Sequence, residues 1–562
     1  MKTYEPFDLM DVARRGMNYL VSMVDERQDF LPYWYVQINQ APAYARHVRV
    51  DDAELVASWY EAVAALEKIL GPDARSTAVK AGFKKHLLRS FGPKGLRYSE
   101  PYPWTHSINA TFHEQGWVLA GLNRLLQDEP GCDEAERAAA GMVRGMRELV
   151  HDKKTLTFWS GDRPVSKPTF EFPGDVYMKD GGWVPERLTG RGDLPVRNNV
   201  VIEPLATRAR LFDDKIALDL AVGLANHLLS YARYFTYDMQ YHGHVHSTVW
   251  CAIGLLRLGR MLHDETLIEK AVGIFEFTRS RSSSFGWVPE YIGWHPDTEE
   301  HCETCCIKDM IEFALEAADL GYDYWPLVDA FTRNQLAEQQ IKDGSFIAVD
   351  PSAQDTDDMT WRDIDKRAVG GWSGGALPNS ISVARFRSIA GCCVGTAPVG
   401  LWLVWSRIVE KRDGCVYVNL PMAKDDALAQ VEIGYPNTGM LRVKARQAGR
   451  YRIRHYPWMG DRVETRLNGQ TLATGWADGC FAFDDVQAGD ILELAHPLRT
   501  ETRHETVCGT DFRVTWKGGD VVELAPPGLP VRLYQRTVGV PKDYPRPATG
   551  AAKVDMGPTQ QK

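Results

Sequence analysis

The chain has 562 residues, 44% of them apolar and 25% charged, which is the composition of a globular protein with a large core. Lys and Arg number 65 against 74 Asp and Glu, a formal charge of −9, which argues against nucleic acid or an anionic membrane as the main partner. No run of 18 apolar residues is present and the first twenty residues lack a basic-then-apolar leader, so no membrane partner and a cytoplasmic location are expected.

Apolar residues at helical spacing come first. Leu55, Trp59, Ala62, Val63, Leu66 and Leu70 form one stripe. Further helices are predicted over 8–24, 107–127, 133–149, 199–211, 214–235, 246–263, 266–280, 304–320, 326–341 and 398–410. Pro326 and Pro398 are read as opening the last two, since a proline lacks the N–H that a first turn leaves unused. About a dozen helices without long strands fit an (α/α)6 barrel, and by pattern alone fit a helical solenoid nearly as well. Two Gly/Pro-rich interruptions, 159–198 and 343–391, carry Trp159, Trp183, Trp361 and Trp372 and read as binding loops or lids. After residue 413 the period changes to two. Leu441, Val443 and Ala445 alternate with polar residues, Asn468-Gly469 marks a hairpin, and Phe512, Val514 and Trp516 alternate up to Gly518-Gly519. The expected organisation is mainly α plus β: a barrel over 1–412, a β-sandwich over 413–540 and a tail over 541–562.

Ten cysteines are too few for a disulfide scaffold, but five of them cluster as Cys302, Cys305 and Cys306, then Cys392 and Cys393. Both clusters lie at predicted helix starts, where the helix dipole favours thiolate and carboxylate, so easily ionised thiols are expected. If the two starts face each other, three thiolates and Glu303 could hold a soft divalent ion, most plausibly zinc; spacing alone equally allows a structural zinc site or two unrelated thiol groups. Glu290 lies among aromatics in VPEYIGW, where desolvation would raise its pKa for general-acid work, although a solvated loop glutamate is the default reading. His113 and His244 fall on predicted helices among apolar residues. His242, His244 and His246 alternate, and read as straddling a helix start with only some facing inward.

Taken together these pieces resemble glycoside hydrolase family 127, the β-L-arabinofuranosidase family. DAELVASWYEAVAAL is similar to its early helix, FHEQGWVLAGLNRLL to its histidine-bearing helix and GHVHSTVWCAIGL to its G-H-A-x-R helix. Glu303-Thr304-Cys305 matches its zinc motif, Cys392-Cys393 its C-C motif, and YRIRHYPWM with the segments after it its sandwich domain. The resemblance covers roughly 50–500 in order and implies Zn2+ held by Glu303, Cys305, Cys392 and Cys393. It implies Cys392 as nucleophile, Glu290 as acid/base, and His113 and His244 as substrate contacts. The implied activity is a retaining exo-hydrolase releasing β-L-arabinofuranose or a related sugar from an oligosaccharide or glycoside, with room for a homo-oligomer. The sequence departs from the family where Val394-Gly395-Thr396-Ala397-Pro398 replaces P-P-N, where VPEY replaces G-E-A, and where Asn198-Asn199 replaces a second G-H motif. A non-catalytic carbohydrate-binding protein with structural zinc, and a uronide hydrolase or lyase on the same barrel, remain as alternatives.

Overall fold

The computed structural model describes residues 2–47, 52–99, 109–153, 156–160, 163–183, 194–293, 301–381, 388–473 and 476–544. The tail expected over 541–562 therefore lies outside the described residues beyond 544, as do parts of both interruptions.

The helices are α1 (Leu9–Ser22), α2 (Asp52–Leu70), α3 (Ala74–Leu87), α4 (Phe112–Asp128), α5 (Asp133–Leu149), α6 (Leu194–Asn199), α7 (Ile202–Phe212), α8 (Lys215–Ser230), α9 (Val245–Leu262), α10 (Glu265–Ser280), α11 (Thr304–Ala318), α12 (Trp325–Phe331), α13 (Ile364–Arg367) and α14 (Gly391–Ile408). Helix α2 packs on α4, α4 on α7, α7 on α9, α9 on α11, α11 on α14, and α14 back on α2. That closes an inner ring of six. Around it α1, α3, α5, α8, α10 and α12 each pack on an inner helix, so the helical part is an (α/α)6 barrel and not a solenoid. Among the described residues no helix is long and apolar enough to cross a membrane.

Several local readings need correction. Helix α3 was not expected, although Asp73 and Ser76 form a capping box at its start, a signal present in the sequence. The helix expected over 326–341 ends at Phe331 and passes into a π-helical turn over Thr332–Leu336. The last barrel helix begins at Gly391, so Pro398 stands inside it and both Cys392 and Cys393 are in its first turn. The reason lies in packing. A Cβ on Gly395 would lie 2.4 Å from Ser58 Oγ, and one on Gly391 would lie 2.8 Å from Leu55 Cδ2. These glycines let α14 close on α2, and the burial gained there outweighs the bond that Pro398 removes. Gly395→Val is accordingly expected to destabilise the protein by about 2 kcal/mol or more, read as a lower urea midpoint.

Beyond Ile408 the chain becomes strand. One sheet runs Val409–Arg412, Cys415–Val418, Gly449–Arg454, Cys480–Val486, Trp476–Ala477, with its second and third strands parallel. Its partner runs Lys424–Asp425, Ala429–Ile433, Met440–Ala445, Ile491–Ala495, Glu464–Leu467, Gln470–Leu472. Leu441, Val443 and Ala445 point into the core between them while Arg442 and Lys444 face solvent, the alternation of a β-sandwich. The predicted hairpin turn is present, with Asn468 at φ 51° and Gly469 at φ 78°. A third sheet of Thr500–Val507, Thr510–Lys517 and Asp520–Ala525 follows. Val531–Arg532 then pairs with Ser380–Ile381 of the second interruption.

That interruption is structural. Trp372 is fully buried, donates to the Leu336 carbonyl at 2.9 Å, and packs where a Cβ on Gly16 would meet it at 2.7 Å. It is core, not a loop aromatic waiting for a ligand. Ala376 bridges Cys302 through both backbone bonds, and Ile389–Ala390 joins a four-stranded sheet with Tyr35–Gln37, Tyr44–Arg46 and Met359–Thr360. These two anchors fix the starts of α11 and α14.

Candidate active site

The starts of four inner helices converge at one end of the barrel. Glu303 is the N-cap of α11 and Ala390 that of α14. His244 caps α9, so it stands just before that helix and not within it, and Thr111 caps α4 one residue ahead of Phe112-His113. A ladder of Gly243–His244 with Tyr291–Ile292 sets Glu290 beside this cap, and the Glu290 carbonyl accepts from the Val245 N–H at 2.9 Å.

Glu303 does not use its carboxylate as a cap. The side chain turns across the mouth: Cys392 Sγ–H donates to its Oε1 at 3.2 Å, and Cys393 Sγ lies 3.9 Å from the same oxygen. Cys305 and Cys393 sulfurs are 3.8 Å apart, and the Thr396 hydroxyl reaches Cys305 Sγ at 3.4 Å. Ligand atoms of Glu303, Cys305, Cys392 and Cys393 all lie within 4.8 Å of one another, and every one of the four residues is buried. Cys302 and Cys306 are buried too but stand outside this group: Cys302 precedes the cap, in the bridge to Ala376, and Cys306 is in the first turn of α11. All ten cysteines are free thiols.

Burial overturns the expectation of easy ionisation. It pushes the Cys305 thiol well above its ordinary value, with the neighbouring thiols adding to the rise. For Cys392 the contact with Cys305 acts downward, but Cys393, burial and the Glu303 charge together carry the thiol well up. The helix dipole is outweighed by desolvation. Three crowded thiols and a carboxylate in a dry pocket suit a soft divalent cation, whose charge would reverse this balance. The donor set thus fits a metal, and two helix starts supply it: Glu303 and Cys305 from α11, Cys392 and Cys393 from α14.

On the other oxygen of Glu303 stands His244, whose Nε2 lies 3.3 Å from Oε2 while its Nδ1 meets Ser247 Oγ at 2.8 Å. Burial brings its pKa down to about 4 even though Glu303 pulls it up, so the ring is neutral; Nε2–H donates to Glu303 and Nδ1 accepts from Ser247. His244, Glu290 and Glu303 offer atoms within 4.8 Å of one another. Glu290 is 5% exposed, beside buried Trp287 and Tyr291, so the default of a solvated loop glutamate does not hold. The structure therefore gathers Glu290, Glu303, Cys305, Cys392, Cys393 and His244 at one mouth.

His113 sits at the same end. Its Nδ1 lies 3.3 Å from Glu54 Oε2, and its ring meets that of His246 edge-on at 6.1 Å. Burial lowers its pKa against the upward pull of Glu54. Of the alternating histidines, His242 is exposed and His244 and His246 are buried. His246 is joined through Nδ1 to Asp309; the sequence marks it only by its alternation with His242 and His244, and it carries no local signal for Glu54 or Asp309. The spacing of His246 to Trp250 and of His113 to Trp117, each i to i+4, was a legible sign that these side chains share helix faces. Asn198 and Asn199 bond backbone carbonyls of Gly174 and Pro195, so the place of the missing G-H motif is filled by structural amides.

Behind the wall runs a chain of charges: Asp309 with Lys308, Lys308 with Glu312, and Arg257 with Glu203, Glu312 and Glu316. Nearby Glu61 is held up to about 7, chiefly by burial. Below pH 4.5 this carboxyl is protonated in the folded and unfolded chain alike. From 4.5 to about 7 the unfolded chain ionises first and stability falls; above 7 the loss is complete. Glu61→Gln is therefore expected to stabilise the protein by about 2 kcal/mol at pH 8 and by almost nothing near pH 4.5 in urea unfolding.

No family model and no curated protein matches the chain by sequence. By structure it is similar to a GH127 β-arabinofuranosidase, at a TM-score of 0.60 and 14% identity, over 92% of this chain and 81% of that one. It is also similar to Ara127N, a GH127 β-L-arabinofuranosidase from Geobacillus stearothermophilus T6, at 0.55 and 16%, over 91% and 80%. A solved structure described as a glycoside hydrolase matches at 0.56 and 13%, over 89% and 84%. The likeness is one of fold, over about nine-tenths of this chain.

Proposed function

We propose that the protein is a retaining exo-glycoside hydrolase that releases a terminal sugar, β-L-arabinofuranose or a related one, from an oligosaccharide or glycoside. The observation that carries this reading is the mouth itself. A thiol, Cys392, and a buried carboxyl, Glu290, flank Glu303 at the helix-start end of a barrel whose fold is shared with such enzymes. In this reading residues 1–412 are the catalytic barrel, 413–540 the sandwich module and 541–562 the tail.

Glu303, Cys305, Cys392 and Cys393 would hold zinc, which supplies the positive charge that keeps these buried thiols ionised at neutral pH. The remaining work falls to side chains. The Cys392 sulfur attacks the anomeric carbon, forming a C–S bond as the bond to the leaving oxygen breaks. Glu290 gives its proton to that oxygen. The Glu290 carboxylate then takes a proton from water, the water oxygen bonds the anomeric carbon, and the C–S bond breaks to return the thiolate. Two inversions give net retention. His244 orients Glu303 from behind, and His113 contacts the sugar.

A screen of 4-nitrophenyl glycosides, with the product anomer followed by NMR in the first minutes, tests this. Release of a sugar with retained configuration is the expected result. Binding of sugars without turnover by any glycoside would favour a non-catalytic carbohydrate-binding protein, and an unsaturated product would favour a lyase.

A further inference from the structure

Glu290 ends the loop that follows α10, and that loop is tied down at several points. Ser283 and Trp287 close it on itself: the Ser283 N–H donates to the Trp287 carbonyl at 2.8 Å, and the Trp287 N–H donates to Ser283 Oγ at 2.9 Å. The Trp287 indole N–H donates to the Ala376 carbonyl at 2.9 Å, and the Glu290 N–H to the His301 carbonyl at 2.7 Å. Gly286, at φ 98°, lies so close to α12 that a Cβ there would be 2.7 Å from Phe331 Cα. Residues 285–290 are buried, whereas Ser284 stands at the surface.

Ser284 is gripped from outside the barrel, by a residue 221 positions further along the chain. Its N–H donates to Glu505 Oε1 at 2.7 Å and its hydroxyl to Glu505 Oε2 at 2.6 Å. Tyr534 meets the neighbouring Phe285 edge-on at 6.1 Å. Glu505 belongs to the third sheet, and that sheet is itself bolted to the barrel. Asp520, fully buried at the start of its last strand, lies 3.3 Å from Arg333 and 3.1 Å from Arg536. The Asn334 side chain accepts from the Val521 N–H and donates to the Gly519 carbonyl, both at 2.9 Å. The carbonyls of Arg333 and Asn334, in the π-helical turn, accept from Arg536 and from the Tyr534 hydroxyl, each at 2.6 Å.

We propose that Glu505 is a positioning residue for Glu290, and that the third sheet thereby belongs to the catalytic unit. This rests on the glycosidase reading of Glu290. The weak point of a loop is its exposed residue, whose backbone bonds open to water most readily. At Ser284 two charge-assisted bonds to one carboxylate fix the backbone and the side chain together. The lock at Asp520 makes that carboxylate a fixed anchor, since parting the sheet from the barrel would leave buried charges unpaired. Glu290 follows Ser284 by only six residues. A general acid must stand within hydrogen-bond reach of the leaving oxygen, so a loop shift of about 1 Å is costly. Glu505 acts through Ser284 and the loop, not by contact with substrate.

The test uses the full-length, zinc-loaded protein and its Glu505→Ala, Glu505→Gln and Ser284→Ala variants, matched by circular dichroism and metal content. The substrates are 2,4-dinitrophenyl, 4-nitrophenyl and phenyl glycosides of one sugar that the parent hydrolyses. In Glu505→Ala, kcat/KM for the phenyl glycoside is expected to fall about tenfold or more, and for the 2,4-dinitrophenyl glycoside, which leaves without a proton, by at most about twofold. Glu505→Gln, whose Oε1 still accepts one of the two bonds, recovers most of the loss. In a Glu290→Gln background Glu505→Ala brings no further fall, because the group it positions is already gone. If Glu505→Ala does not fold, Ser284→Ala, which deletes the hydroxyl bond at an exposed site, takes its place. No loss, equal loss on every leaving group, or a loss fully additive with Glu290→Gln overturns the inference and leaves the glycosidase reading intact. If no glycoside is hydrolysed, the glycosidase reading fails by itself, and amide hydrogen exchange decides the role of Glu505. Exchange at Gly286, Trp287 and Glu290 that is about tenfold faster in Glu505→Ala, with α9 and α11 unchanged, supports the anchoring of the loop. Exchange equal to that of the parent overturns it.

Discussion

Cys392→Ala is expected to lower the turnover of a 4-nitrophenyl glycoside by about 10⁴-fold or more, because the bond-forming atom is gone while the pocket remains. Glu303, Cys305 and Cys393 stay in place, and three protein ligands are enough for many metal sites, so the metal content of this variant is measured alongside. Glu290→Gln gives the complementary result. In the proposed mechanism its carboxyl acts twice, first as acid and then as base, so turnover is expected to fall about 10²- to 10⁴-fold. The loss is smallest for the best leaving groups, which need no proton. Azide, which needs no base to attack, should restore turnover in Glu290→Gln and give a glycosyl azide of retained configuration, whereas any azide product of Cys392→Ala arises by a single displacement and is inverted. A Cys392→Ala protein that turns over within tenfold of the parent would end the thiol mechanism.

Removing the metal that the cluster is proposed to hold is the second large effect expected. In the metal-free protein burial holds the Cys305 and Cys392 thiols well above their ordinary values, so nucleophile and ligands are protonated together. Chelation is expected to abolish turnover and to remove about 4 kcal/mol or more of stability, the linkage expected when a tight ligand binds only the folded chain. Metal binding must expel protons from the thiols, so affinity falls as pH falls, and acidification should release the ion before the barrel unfolds. Cobalt(II) gives an independent readout, since thiolate coordination produces intense near-ultraviolet bands. Turnover that survives complete chelation would leave the cluster a purely structural role.

Much of this arrangement was legible from residue order. The helical stripes of α2, α5, α9 and α11 were visible at their true spacing, because each buries one face in a ring and that demand writes a 3.6 period. The hairpin at Asn468-Gly469 was equally plain, as two successive residues with positive φ leave few choices. The two cysteine clusters flagged themselves by spacing. Other features were hidden. Pro398 signalled a helix start, yet α14 begins seven residues earlier, because Gly391 and Gly395 gain a close approach to Leu55 and Ser58 that no local rule contains. Trp372 looked like a loop aromatic and is core, because its partners Gly16 and Leu336 are remote in sequence.

The sequence by itself determined the elements and the donor atoms: helices by periodicity, strands by alternation, and thiols and carboxylates by type and number. Those properties are local, set by backbone geometry and side-chain chemistry. Only the tertiary structure decided that the ring closes through α14 on α2, and that Glu303 bridges Cys392 to His244. It alone decided that the clustered thiols are too deeply buried to ionise unaided, since desolvation depends on every neighbour that packs around them.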